Sequence, residues 1–97
     1  MPVHRIRLRG FWEATPLADG RTRHVRRFGK PRTLDPGETA WVVGDAGPAT
    51  VYLNGEMIGQ SEAAPFAFEV TARLQTRNEL AIEGTLGEVA LEVRGAG

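Results

Sequence analysis

Hydrophobic and polar residues alternate with a period of two along most of this chain, the spacing a half-buried β-strand imposes. From residue 3 to residue 9, His4, Ile6 and Leu8 fall on one face and Val3, Arg5, Arg7 and Arg9 on the other. Gly10 permits a bend. Phe11 and Trp12 then face opposite ways, with Phe11 assigned to the core and Trp12 to a lid or contact position. Pro16 and Asp19-Gly20 mark residues 15–20 as a loop. Residues 21–28 form a basic stretch whose apolar positions are Val25 and Phe28. Alternation resumes over residues 39–44, with Ala40 and Val42 on one face and Trp41 and Val43 on the other. It returns with Phe66, Phe68 and Val70, with Leu80 and Ile82, and with Val89, Leu91 and Val93.

One stretch pins the register. Thr50-Val51-Tyr52-Leu53-Asn54-Gly55-Glu56-Met57-Ile58-Gly59 reads as a strand, a two-residue turn and a return strand. Asn-Gly between apolar runs is the strongest local hairpin signal, because both central residues of a type I′ turn need positive φ. Val51 and Leu53 then point inward and Tyr52 outward. Thr71-Ala72-Arg73-Leu74 fits a single helical turn, with Thr71 as its cap and Leu74 closing the end of the core. Altogether about seven or eight short strands, roughly 8–12 residues apart with turn signals between them, predict an all-β sandwich or barrel. The expected core is Ile6, Leu8, Phe11, Ala40, Val42, Val51, Leu53, Ile58, Phe66, Phe68, Val70, Leu74, Leu80, Ile82, Val89, Leu91 and Val93.

Composition narrows the class. The 97 residues make a single domain, residues 1–97, and 41% hydrophobic with 25% charged residues are the proportions of a globular chain. The net charge of zero gives no global field to select nucleic acid or membrane. That zero conceals an asymmetry: residues 1–32 carry nine basic and two acidic side chains, and the remainder three basic and ten acidic. Basic N-terminal strands lying against acidic C-terminal ones would account for it through cross-strand pairs; a basic binding surface is the competing account. The absence of cysteine excludes a disulfide framework, a thiol nucleophile and Cys-based metal sites. No apolar run approaches the roughly 18–20 residues of a membrane span. The first residues lack a signal-peptide pattern, so the expectation is a cytoplasmic protein with no membrane partner.

Nothing in the sequence assembles a catalytic site. Acidic residues sit on strand faces (Glu69, Glu88, Glu92) or in turns (Asp19, Asp35, Asp45), without the apolar pocket that tunes a carboxyl for general-acid work. Ser61 lacks a Gly-x-Ser-x-Gly elbow. Two distant histidines do not make a metal site, and no phosphate-cradling loop precedes a helix. No catalytic residue, metal or cofactor is therefore expected, which leaves binding. Trp41 and Tyr52 point away from the core on strands read as adjacent, and Trp12 is a third outward ring. Such rings form a sugar platform, contribute to a protein interface, or cover a sheet beneath arginine stems. Arg23, Arg26 and Arg27 are the tightest basic cluster and have no acidic neighbour in sequence. Arg23 and Arg27 thus join the three rings as candidate ligand-binding residues. Arg5, Arg7 and Arg9 are expected to face Glu83, Glu88 and Glu92 across paired first and last strands.

The strings TVYLNGEMIG, PFAFEVTARL, NELAIEG and GEVALEVRG, in that order, resemble the sugar-binding domain of glycoside hydrolase family 2 enzymes. Val51, Leu53, Asn54, Gly55 and Gly59 match its V-x-L-N-G-x-x-x-G hairpin. Phe66, Val70, Thr71 and Leu74 match F-x-x-D-V-T-x-x-L, with Glu69 at the acidic place, and Asn78, Leu80 and Ile82 match N-x-L-x-[IV]. Arg27-Phe28-Gly29-Lys30-Pro31 resembles the R-x-F-x-x-P string less specifically. The resemblance covers residues 24–94 and implies a jelly-roll β-sandwich of two antiparallel sheets, galactose-binding-domain-like, with carbohydrate as the ligand class. The barrel that holds the family's catalytic carboxylates has no counterpart here, and the connection from Gly59 to Phe66 is shorter than is common. The expected function is therefore a non-catalytic module for weak carbohydrate recognition or an accessory role. The alternative is a protein-interaction or assembly module, including a homo-oligomer. Nucleic-acid binding through residues 23–30 is a weaker third reading.

Overall fold

The alternating segments form two antiparallel sheets packed face to face in a computed structural model, which describes residues 3–30 and 33–95. The strands are β1 (Val3–Arg7), β2 (Glu13–Pro16), β3 (Thr22–Gly29), β4 (Thr39–Gly44) and β5 (Ala49–Leu53). They continue with β6 (Glu56–Ser61), β7 (Phe66–Glu69), β8 (Arg77–Gly84) and β9 (Val89–Arg94). A four-stranded sheet has the order β1-β9-β4-β7 and a five-stranded sheet the order β2-β3-β8-β5-β6. No described residue is helical. The fold is an all-β sandwich.

Its core follows the inward positions read from the alternation except at Ile6, which is only half-buried on the edge strand β1 and lies outside the core cluster. Leu53, Leu80, Ile82, Leu91, Val42, Val51 and Val70 are the largest fully buried side chains. Phe66 and Phe68 stack with centroids 5.3 Å apart. Gly59 makes room for Phe68: a Cβ there would lie 2.4 Å from its ring, so a motif glycine is explained by packing rather than by turn geometry.

The Asn54-Gly55 turn has the expected positive φ values, 52° and 85°. Its asparagine does more than turn. Asn54 N–H donates to Glu79 O at 2.8 Å, and Glu79 N–H donates to Asn54 Oδ1 at 2.8 Å. Asn54 Nδ2 donates to Oδ1 of Asn78 at 3.1 Å, and Asn78 is only 3% exposed. Asn78 Oδ1 also accepts from Gln75 N–H at 2.8 Å, and its Nδ2 donates to Gln75 O at 2.9 Å. The two motif asparagines thus lock the hairpin to the start of β8.

Three expectations are corrected. Phe11 is not in the core: it is 89% exposed with φ 60°. Gly10 and Phe11 both have positive φ, which breaks the alternation and inverts the two rings. Trp12 is the one packed on the core, with Nε1 donating to Leu8 O at 2.9 Å. Residues 15–20 are not all loop, because Thr15 and Pro16 belong to β2, which pairs with β3. That strand is exposed throughout and lies at a sheet edge, so it has no apolar face to betray it and tolerates a proline. Residues 71–74 form a turn rather than a helix, closed by Arg73 N–H to Val70 O at 2.9 Å. There Thr71 Oγ1 accepts from Ala40 N–H and donates to Glu69 Oε2, each at 2.9 Å, tying the turn to β4. Leu74 packs against the core as expected. Pro31 of the R-x-F-x-x-P string lies outside the described residues.

Candidate functional site

The five candidate residues are not brought together. Trp41 is on β4 of the four-stranded sheet and Tyr52 on β5 of the five-stranded sheet, so the expectation that they share a face is corrected. The error came from assuming that strands close in sequence are neighbours; β4 is flanked by β9 and β7 instead. Trp12 stands apart from both, at the edge of the core. Only Tyr52, Arg23 and Arg27 occupy one face.

On that face the arginines have partners from β8. Arg23 Nη1 donates to Glu83 Oε2 at 2.7 Å, and Arg27 Nη2 to Glu79 Oε2 at 3.2 Å. Arg21 adds a second cation 3.6 Å from Glu83. The Arg23 guanidinium lies 5.5 Å from the centre of the Tyr52 ring. Arg26 turns to the other side of β3 and bonds the carbonyls of Gly10 and Arg9. The cluster that lacked acidic neighbours in sequence is therefore paired across strands, 52 residues away for Arg27 and 60 for Arg23. Tyr52 thus carries the arginine cover, one of three readings for the rings, whereas Trp12 packs on the core.

The outer face of the four-stranded sheet is built from rungs. Arg5, Glu92, Trp41 and Glu69 form one, and Arg7, Ala90, Val43 and Ala67 the next. Glu92 is 4% exposed, unusually buried for a carboxylate on an outer face. Arg5 grips its Oε2 through Nε at 2.8 Å and through Nη2. Arg94 grips Oε1 through Nη2 at 3.0 Å and Nε at 3.2 Å. The Arg94 guanidinium also covers Trp41, 4.4 Å from the ring centre, and Trp41 Nε1 donates to Thr39 Oγ1 at 2.9 Å. Glu83, expected opposite the β1 arginines, lies in the other sheet; Glu92 takes Arg5, and among the described residues Glu88 pairs with neither Arg7 nor Arg9.

Burial on its own would raise the Glu92 carboxyl, but the Arg5 and Arg94 hydrogen bonds outweigh it and hold the group below its ordinary value. A folded-state value below the unfolded one contributes stability above the unfolded value and loses it as pH falls through the folded one. Glu92→Gln should therefore melt below wild type at about pH 7, the gap closing below about pH 4. A gap in thermal melts that stays constant down to about pH 2 contradicts this assignment.

Beside Glu92 the small rung leaves a trough of about 450 Å³. Val43, Ala67 and Ala90 line it together with Arg5, Arg7, Arg94, Asp45, Glu88 and Glu92, three cations against three carboxylates. Asp45 Oδ1 accepts from Glu88 N–H at 2.6 Å, which fixes one rim. Sequence reasoning missed this site, because its signal is a run of small outward residues on three different strands. Among the described residues no three His, Asp or Glu side chains come close enough to hold a metal ion. Likewise, no helix among them is long and apolar enough to cross a membrane. No protein-family model matches the chain, and no curated protein is significantly similar to it.

Proposed function

We propose that this chain is a non-catalytic, cytoplasmic β-sandwich module that recognises carbohydrate weakly on the outer face of its four-stranded sheet. The observation that carries this reading is the trough, with balanced arginine and carboxylate side chains around a floor of Val43, Ala67 and Ala90. Arginine forks donate and carboxylates accept, so together they suit sugar hydroxyls, which do both. Balanced charge gives no advantage to an anion or a cation, and the small apolar floor suits the C–H face of a pyranose. The strand orders β1-β9-β4-β7 and β3-β8-β5-β6 support a jelly-roll reading, and with it the resemblance to glycoside hydrolase sugar-binding domains.

A catalytic role draws no support from the trough. Glu92 is held by two arginines with its carboxyl lowered, the opposite of what a general acid needs. The open trough argues for modest affinity, with dissociation constants of about a millimolar. A glycan array should return one or more neutral sugars whose binding is lost in Ala67→Arg, an exposed edge substitution that fills the trough. Binding that survives Ala67→Arg with the fold intact would remove the trough from the proposal. Interaction with a protein partner is the second reading, favoured by the exposed Phe11 ring.

A further inference from the structure

We propose that the open edge of β1 accepts an acidic, extended segment of a partner protein as an added strand, with Phe11 anchoring its end. Among the described residues β1 is an outermost strand, paired only with β9. Leu8 N–H donates to Val89 O at 2.9 Å at the end of that ladder. Alternation along an antiparallel pair then turns the backbone N–H and C=O of Arg5 and Arg7 to the open side. The strand, Val-His-Arg-Ile-Arg, contains no proline, glycine or bulge, unlike the edge strand β2 with its Pro16.

The charge of the partner follows from which cations are free. Arg5, Arg23 and Arg27 are paired with carboxylates, whereas Arg7 and Arg9 pair with none among the described residues. A second copy adding antiparallel through its own β1 would set arginine against arginine, which is destabilising on a shared face. An acidic strand meets Arg7 and Arg9 instead.

Phe11 supplies the anchor. A non-glycine residue with positive φ costs free energy and persists only where its surroundings impose it. Arg26 does so here, with Nε bonded to Gly10 O at 3.0 Å and Nη2 to Arg9 O at 3.3 Å. Its guanidinium lies 6.0 Å from the centre of the Phe11 ring. The loop is thus held in a conformation that presents an aromatic ring to solvent beside the Arg26 guanidinium, ready to be buried by a partner.

The test is an NMR titration of the labelled chain with a capped peptide alternating glutamate and valine over about eight residues, a typical strand length. The expected result is perturbation of residues 3–9 and Phe11, slowed exchange of the Arg5 and Arg7 amides, and affinity that falls with salt. Phe11→Gly, which removes the ring and relieves the backbone, should leave the melting temperature unchanged or higher and weaken the peptide about tenfold. Arg9→Glu should weaken it by a similar factor of about ten. The proposal is overturned if β1 is unperturbed at about 1 mM peptide, or if a lysine–valine peptide binds equally well. Phe11-dependent binding to phosphatidylserine vesicles in place of the peptide would also overturn it.

Discussion

Leu53→Ala is expected to destabilise the sandwich by about 2–5 kcal/mol, the range for truncating a fully buried leucine. Leu53 is 2% exposed at the end of β5, paired with Leu80 on one side and Glu56 on the other. The cavity would open between the two sheets, where neighbours cannot collapse without breaking the register set by Asn54-Gly55. In a domain of this size each kilocalorie shifts the melting temperature by about 4–8 °C. Denaturant melts should show a lower midpoint with an unchanged slope. A loss under about half a kilocalorie would mean that Leu53 is not on the inner face.

Asn78→Leu is expected to cost about 2–4 kcal/mol, although it substitutes an apolar residue of similar size at a buried position. The side-chain amide of Asn78 serves Gln75 N–H, Gln75 O and Asn54 Nδ2. Removing it takes the partner from Gln75 N–H, Gln75 O and Asn54 Nδ2, and each lost hydrogen bond costs about 0.5–1.5 kcal/mol. Hydrogen exchange should locate the damage, with the Gln75 and Glu79 amides opening before those at the centre of β8. If Asn78→Leu melts within about half a kilocalorie of wild type, the asparagine lock between turn and strand is not a stability element.

The inner face of the sandwich was legible because one property, apolarity at every second residue, is local and needs no partner. Val42, Val51, Leu80 and Leu91 were all placed correctly by it. Phe11 and Trp12 were exchanged because a single left-handed bend resets the alternation, and Gly10 alone does not say whether the next residue follows it into positive φ. The strand β2 was invisible for the complementary reason: an edge strand exposed on both faces shows no period. The site was harder still. Whether Arg23 and Arg27 are free or paired depends on β8, and whether Trp41 and Tyr52 share a face depends on sheet order. The charge asymmetry between the two parts of the chain did carry that information in coarse form, since Arg5–Glu92, Arg23–Glu83 and Arg27–Glu79 are its pairs.

The same pairing redistributes functional weight. Trp41 and Tyr52 are the residues a sequence reader would select for sugar stacking, yet each lies beneath an arginine. Val43, Ala67 and Ala90, which would attract no notice in sequence, form the floor of the trough. Sugar recognition on this reading belongs to a gap between charged rungs, not to a displayed ring.

Amide chemical-shift mapping with the neutral sugars that the array selects tests this account most directly. The predicted result is a contiguous set of perturbations at Val43, Ala67 and Ala90, with the Arg5, Arg7 and Arg94 side-chain signals moving alongside them. Perturbations centred on Tyr52 and Arg23 in the other sheet, or none up to about 50 mM sugar, where even a weak site fills, would contradict it.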